Sequence, residues 1–177
     1  MESVNYFELF GLPEQFSLDE KKLRDNYNAL MQQYHPDKAA VKTDFEKKQI
    51  LALAAAVNDG YRVLSSPLER AAFILRRLGV DVDSQTDTRF PIGFLQQQMQ
   101  WHEDLETGIE THDANLLQSL SAKISHAKNE ILQLISHIFD QSLSAEQIEQ
   151  AYLLVRQGRF LDKLLIRVDS EHEKLKA

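Results

Sequence analysis

The sequence predicts an all-α protein, and three observations carry that prediction. A capping residue followed three positions later by Glu or Gln occurs at Asn5/Glu8, Ser17/Glu20, Thr43/Glu46, Ser66/Glu69 and Ser144/Gln147. Each pair can satisfy backbone N–H groups that the first turn of a helix leaves unpaired, so each marks a helix start. No segment sustains the apolar–polar alternation with β-branched residues that a strand requires. Glycine and proline are sparse, six and four in 177 residues.

The first element is a short helix from Asn5 to Phe10, which Gly11 and Pro13 end. The second runs from about Leu18 to Tyr34, with Leu23, Tyr27, Leu30 and Tyr34 on one face. It stops at His35-Pro36, because the residue before a proline is pushed out of the α region. The third, about Thr43 to Leu64, places Ile50, Leu53, Val57, Tyr61 and Leu64 on one stripe. The fourth starts with Pro67 in the first helical position and runs to about Leu78, before Gly79. Two long amphipathic helices joined by a short polar loop pair antiparallel, and the first and fourth helices pack across them.

From Val80 to Arg89 the chain is polar, acidic and free of aromatics. This reads as a linker over 79–88 between a first domain at 1–78 and a second at 89–177. Three longer helical patterns follow: about Ile92 to Thr111, Asp113 to Gln141 and Ser144 to Lys174. Their connections are short, so consecutive helices should be antiparallel neighbours in a three-helix bundle.

Composition narrows the function classes. Apolar residues at 43% and charged residues at 27% describe an ordinary globular protein. The absence of cysteine excludes disulfide frameworks, thiolate zinc or iron–sulfur ligation, and a cysteine nucleophile. No run approaches the ~18 apolar residues of a membrane span. The first residues have neither a secretory nor a transit pattern, so a cytoplasmic location with no membrane partner is expected. Residues 1–80 carry eleven basic and eleven acidic side chains, whereas 81–177 carry nine against sixteen and hold the whole net charge of −7. Nucleic acid is therefore not an expected partner, and any basic patch must be local. His102-Glu103 lacks a second histidine at metalloprotease spacing, and there is no phosphate-cradling glycine loop or nucleophile elbow. The expectation is a non-enzymatic protein with no metal and no cofactor.

Two features suggest contact with other proteins. The loop after the second helix holds His35-Pro36-Asp37 and then Lys38. Pro36 stiffens the loop, so its neighbours are presented at little ordering cost. Asp37 offers a bidentate acceptor for an Arg fork, and His35 can donate or accept. The bland alternative is a capping arrangement that only closes the hairpin. On the fifth helix, Phe94, Trp101, Leu105 and Ile109 form a core stripe, and Ile92, Leu95 and Met99 form a second apolar wing flanked by Gln96, Gln100 and Glu103. Such a wing serves either a protein-docking patch or burial against two neighbouring helices.

His35-Pro36-Asp37 follows Tyr34 at the tip of a helix hairpin, with Tyr6-Phe7-Glu8-Leu9-Phe10-Gly11-Leu12 upstream. This setting resembles the J domain, the module that activates DnaK-type ATPase chaperones. With the acidic second bundle and Arg159-Phe160-Leu161-Asp162-Lys163-Leu164, the whole chain resembles an HscB-type J-protein co-chaperone of iron–sulfur cluster assembly. The resemblance implies chaperone contact through His35, Pro36, Asp37 and Lys38, aided by Lys21, Lys22 and Arg24. It further implies binding of an IscU-like iron–sulfur scaffold protein through Leu95, Gln96, Met99, Gln100, Glu103 and Phe160, and its delivery to an HscA-like, DnaK-type ATPase. Two departures stand out: Gln32-Gln33 where many members carry Lys or Arg, and Gln96 and Gln100 where others place an apolar residue or an acid. Periodicity alone puts Phe160 at the edge of a broad apolar face with Leu153 and Leu164, more core than contact. The rival functions are a general J-protein that delivers unfolded chains, and a hydrolase using His35 and Asp37 as acid and base.

Overall fold

The computed structural model describes residues 4–34, 43–84, 89–141 and 143–176. Their regular structure is entirely helical: α1 Tyr6–Leu9, α2 Glu20–Gln33, α3 Asp44–Ser65, α4 Pro67–Arg77, α5 Ile92–Glu110, α6 Ala114–Phe139 and α7 Ala145–Lys176. The chain divides into two compact units, Met1–Ile74 and Leu75–Ala177.

In the first unit, the Asn5 side chain caps α1 by accepting from the Phe7 N–H. Thr43 and Glu46 form a reciprocal capping box at the start of α3. The cap of α2 is Asp19 and not Ser17: its carboxylate accepts from the Lys22 N–H at 3.0 Å. A carboxylate gains more than a hydroxyl from the positive end of the helix dipole, which favours the later start. α2 packs along α3, where Tyr27 stacks on Tyr61 at 4.2 Å and its hydroxyl donates to Asn58. The buried line of α3 runs through Ala54, Val57, Gly60, Val63 and Leu64. Leu53, expected on that stripe, is exposed. α1 lies so close to α3 that a Cβ at Gly60 would stand 2.8 Å from the Phe10 ring and 2.9 Å from the Tyr6 ring. Phe73 of α4 completes the cluster, stacking on Tyr6 at 4.9 Å. Behind it the Arg70 side chain is buried, donating to the backbone carbonyls of Leu64 and Phe16 at 2.8 and 2.6 Å.

In the second unit, the most extensive seam joins α6 and α7. Lys128 pairs with Asp162, and Ser121 donates to Asp169. Going back seven positions on α6 means going forward seven on α7, so the two helices are antiparallel. Leu117, Leu120, Ile124 and Ile135 of α6 and Val155, Leu161, Leu164 and Val168 of α7 are buried in the core, to which α5 adds Trp101 and Leu105. Close approach of α5 to α6 depends on Gly108, where a Cβ would lie 2.5 Å from Leu117 Cδ2. Asp113 caps α6, Ser144 and Gln147 cap α7 reciprocally, and Arg167 ties α7 to Glu106 of α5 at 2.7 Å. The described part of the expected linker is packed into this unit. Val82 is buried, and Asp83 bridges Arg76 and Arg159 at 2.9 Å each.

Candidate functional site

His35, Pro36, Asp37 and Lys38 lie outside the described residues, as do the remaining positions up to 42. The helices on either side are well formed up to that segment: Tyr34 caps the end of α2 and Thr43 the start of α3. At the other end of α2, Lys21, Lys22 and Arg24 are all exposed. Lys21 pairs with Asp25 at 2.8 Å, and that hydrogen bond and charge raise its pKa. Lys22 and Arg24 make no ion pair among the described residues. Asp19, Glu20 and Asp25 interleave with these bases, so the end is mixed in charge. Gln32 and Gln33 are also exposed, and no cation stands on the last turn of α2.

α5 presents the second candidate. It starts at Pro91, whose carbonyl accepts from the Phe94 and Leu95 N–H groups in place of a side-chain cap. One face buries Trp101, Leu105 and Gly108. The other leaves Ile92 75%, Leu95 41% and Met99 65% exposed, so the bundle does not cover both apolar stripes. Gln96, Gln100 and Glu103 edge the patch and are exposed, with Gln100 donating to Asp104 at 3.0 Å. Phe94 and Ile109 are half-buried at the margin of the core. Large apolar side chains grouped on a rigid helix and rimmed by polar ones form a surface suited to protein contact.

Phe160 belongs to both the core margin and the surface. It is half-buried and meets Phe94 and His102 edge-on at 5.9 and 6.0 Å. It also lines a cavity of about 330 Å³ with Phe90, Arg156, Arg159, Lys163 and the 82–84 segment. The cavity and the Asp83 ion pairs went unanticipated in the sequence. Two signals were present: the alternation Val80-Asp81-Val82-Asp83, and the bases at 156, 159 and 163, three and four positions apart on one helix face. No cluster of three or more metal-ligating side chains occurs among the described residues, and no described helix is long and apolar enough to cross a membrane.

Comparison with known proteins places this geometry. A co-chaperone protein HscB homolog of Neisseria meningitidis serogroup C is 38% identical over 165 residues, covering 93% of this chain and 97% of that one. The chain belongs to the HscB co-chaperone family. An HscB homolog of Burkholderia multivorans is 33% identical and covers 97% of the chain. Residues 91–169 match the family described as the HSCB C-terminal oligomerisation domain. Among solved structures, the chaperone HscB from Vibrio cholerae superposes with a TM-score of 0.82 at 29% identity, covering 97% of this chain and 99% of that one. Human co-chaperone protein HscB shares the fold with a TM-score of 0.85 at 23% identity, covering 96% of this chain and 82% of that one. The HscB architecture is a J domain followed by a C-terminal helical bundle, so α1–α4 form the J domain and α5–α7 the bundle.

Proposed function

We propose that this HscB-family chain is a non-enzymatic, cytoplasmic co-chaperone with two docking jobs in iron–sulfur cluster assembly. The His35-Pro36-Asp37 loop, with Lys38 and the bases Lys21, Lys22 and Arg24, engages an HscA-like, DnaK-type ATPase and favours its hydrolysis-competent state. Differential contact with two states is enough for such a shift. The bundle meanwhile holds an IscU-like scaffold protein through Leu95, Gln96, Met99, Gln100, Glu103 and Phe160, raising its effective concentration beside the chaperone. The observation that carries this reading is the uncovered apolar face of α5, where Ile92, Leu95 and Met99 are exposed.

The test is ATP turnover by the cognate DnaK-type chaperone with the full chain, with and without the scaffold protein. Wild type should stimulate turnover, and His35→Gln should abolish stimulation while leaving helicity and melting unchanged. Stimulation retained by His35→Gln would defeat the loop mechanism. In a pulldown offering both folded scaffold and an unfolded polypeptide, the folded scaffold should be captured. Preference for the unfolded chain would favour a general J-protein.

A further inference from the structure

We propose that His102 is a positioning residue of the scaffold-docking surface, holding the Phe160 ring in the place where the scaffold protein meets it. This rests on the scaffold-docking role given above and adds a residue not among those named there. At ~100° per residue, His102 falls within about 20° of Leu95 and about 60° of Met99 on the wheel of α5. It therefore continues the line of the apolar wing toward the C-terminal half of the helix. Leu95 and Met99 stand exposed, whereas His102 is half-buried where Phe160 of α7 meets it.

Two rings of α5 fix Phe160 between them. Phe94 meets it at 5.9 Å with an interplanar angle of 78°, and His102 at 6.0 Å with 82°. Near-perpendicular pairs at this separation are a favoured aromatic geometry, because the positive edge of one ring meets the negative face of the other. Phe94 and His102 stand about 12 Å apart along the helix axis, so they support Phe160 from opposite ends. Swinging Phe160 into another χ1 rotamer would give up both contacts. A side chain already held in its bound position loses less freedom on binding than one the partner must order.

Histidine suits this place chemically. Its ring gives Phe160 an aromatic partner, while its nitrogens keep the rim of the patch polar. An aliphatic residue there would widen the exposed apolar surface of Ile92, Leu95 and Met99 and supply no ring. Among the described residues His102 makes no hydrogen bond and no ion pair, so the contact with Phe160 is what engages its ring. Phe94 is fixed by the core margin on one side, and His102 is the support that lies on the docking line itself.

The test is calorimetric binding of the purified cognate scaffold protein to the full chain carrying His102→Ala, His102→Phe, Phe160→Leu, or His102→Ala with Phe160→Leu. Phe160→Leu keeps an apolar side chain at the core margin and removes only the ring, so it should fold, which circular dichroism melts would verify. His102→Ala should bind about fivefold more weakly, and His102→Phe should stay within about twofold of wild type. Phe160→Leu should itself bind more weakly, and adding His102→Ala to it should cost nothing further, since the ring that His102 holds is gone. An equal loss in both backgrounds would show that His102 acts on its own and would overturn the proposal. So would wild-type affinity in His102→Ala or Phe160→Leu, or a His102→Phe variant as weak as His102→Ala. Absence of scaffold binding by wild type would instead overturn the docking role on which the proposal rests.

Discussion

Arg70 shows how a single charged residue can be a core component. Its guanidinium lies over the Phe16 ring at 5.6 Å, and burial pushes its pKa down while the charge of Glu20 opposes that shift. Arg70→Met would leave the Leu64 and Phe16 carbonyls without their donors, but it would also relieve a buried charge whose Nη2 has no hydrogen-bond partner among the described residues. Two orphaned carbonyls outweigh that relief, so the variant should be less stable by about 1–3 kcal/mol in urea unfolding. An unchanged midpoint would mean that desolvation dominates. Asp83 works differently, on the surface. Its hydrogen bond from Arg76, together with Arg159, holds its carboxyl below the usual carboxylate range. A depressed folded pKa contributes stability that is present above the unfolded value of about 3.9 and is lost as pH falls through the folded one. Asp83→Asn should therefore be slightly destabilised at neutral pH, and its melting should converge with wild type only as pH falls through the depressed folded pKa. Because the Asp83 side chain is largely solvent-exposed, the difference should stay within about 1 kcal/mol.

At the scale of helices, close packing is decided where side chains are missing. Gly60→Ala gains helix propensity of up to about 1 kcal/mol, yet its methyl group would press on two aromatic rings that have little room to move. The clash should win, lowering stability by about 1–2 kcal/mol in thermal melts, with the Tyr6–Phe73 stack disturbed. Helix starts were legible in the sequence because a cap is a local device. Thr43 and Ser144 sit at the ends they mark, and only Ser17 lost to a stronger competitor two residues on. The stripe of α3 was harder to read, because Ala54 and Gly60 are buried by closeness of neighbours and not by size, while the larger Leu53 faces water. In the described part of the 79–88 segment, Val82 is buried and Asp83 finds its second arginine on α7, far away in sequence. Local reading cannot find such partners. The exposed α5 wing could be stated as one of two alternatives, but choosing between them needed the positions of α6 and α7.

For the molecule as a whole, the structure separates what holds it together from what it offers to others. Leu95 and Met99 face solvent, while Trp101 and Leu105 on the same helix are buried. The double variant Leu95→Ala with Met99→Ala should keep the wild-type melting temperature to within a degree or two, since little buried area is lost. It should lose scaffold binding while still stimulating the chaperone's ATPase in the absence of scaffold. Loss of both activities together would mean that the two tasks share one surface. A helix with one face committed to the interior and the other unconstrained by it can change its outward residues at almost no cost to folding. Descendants of such a gene can vary the outward chemistry along one side of α5 by a few substitutions, with the buried contacts of Trp101 and Leu105 inherited intact.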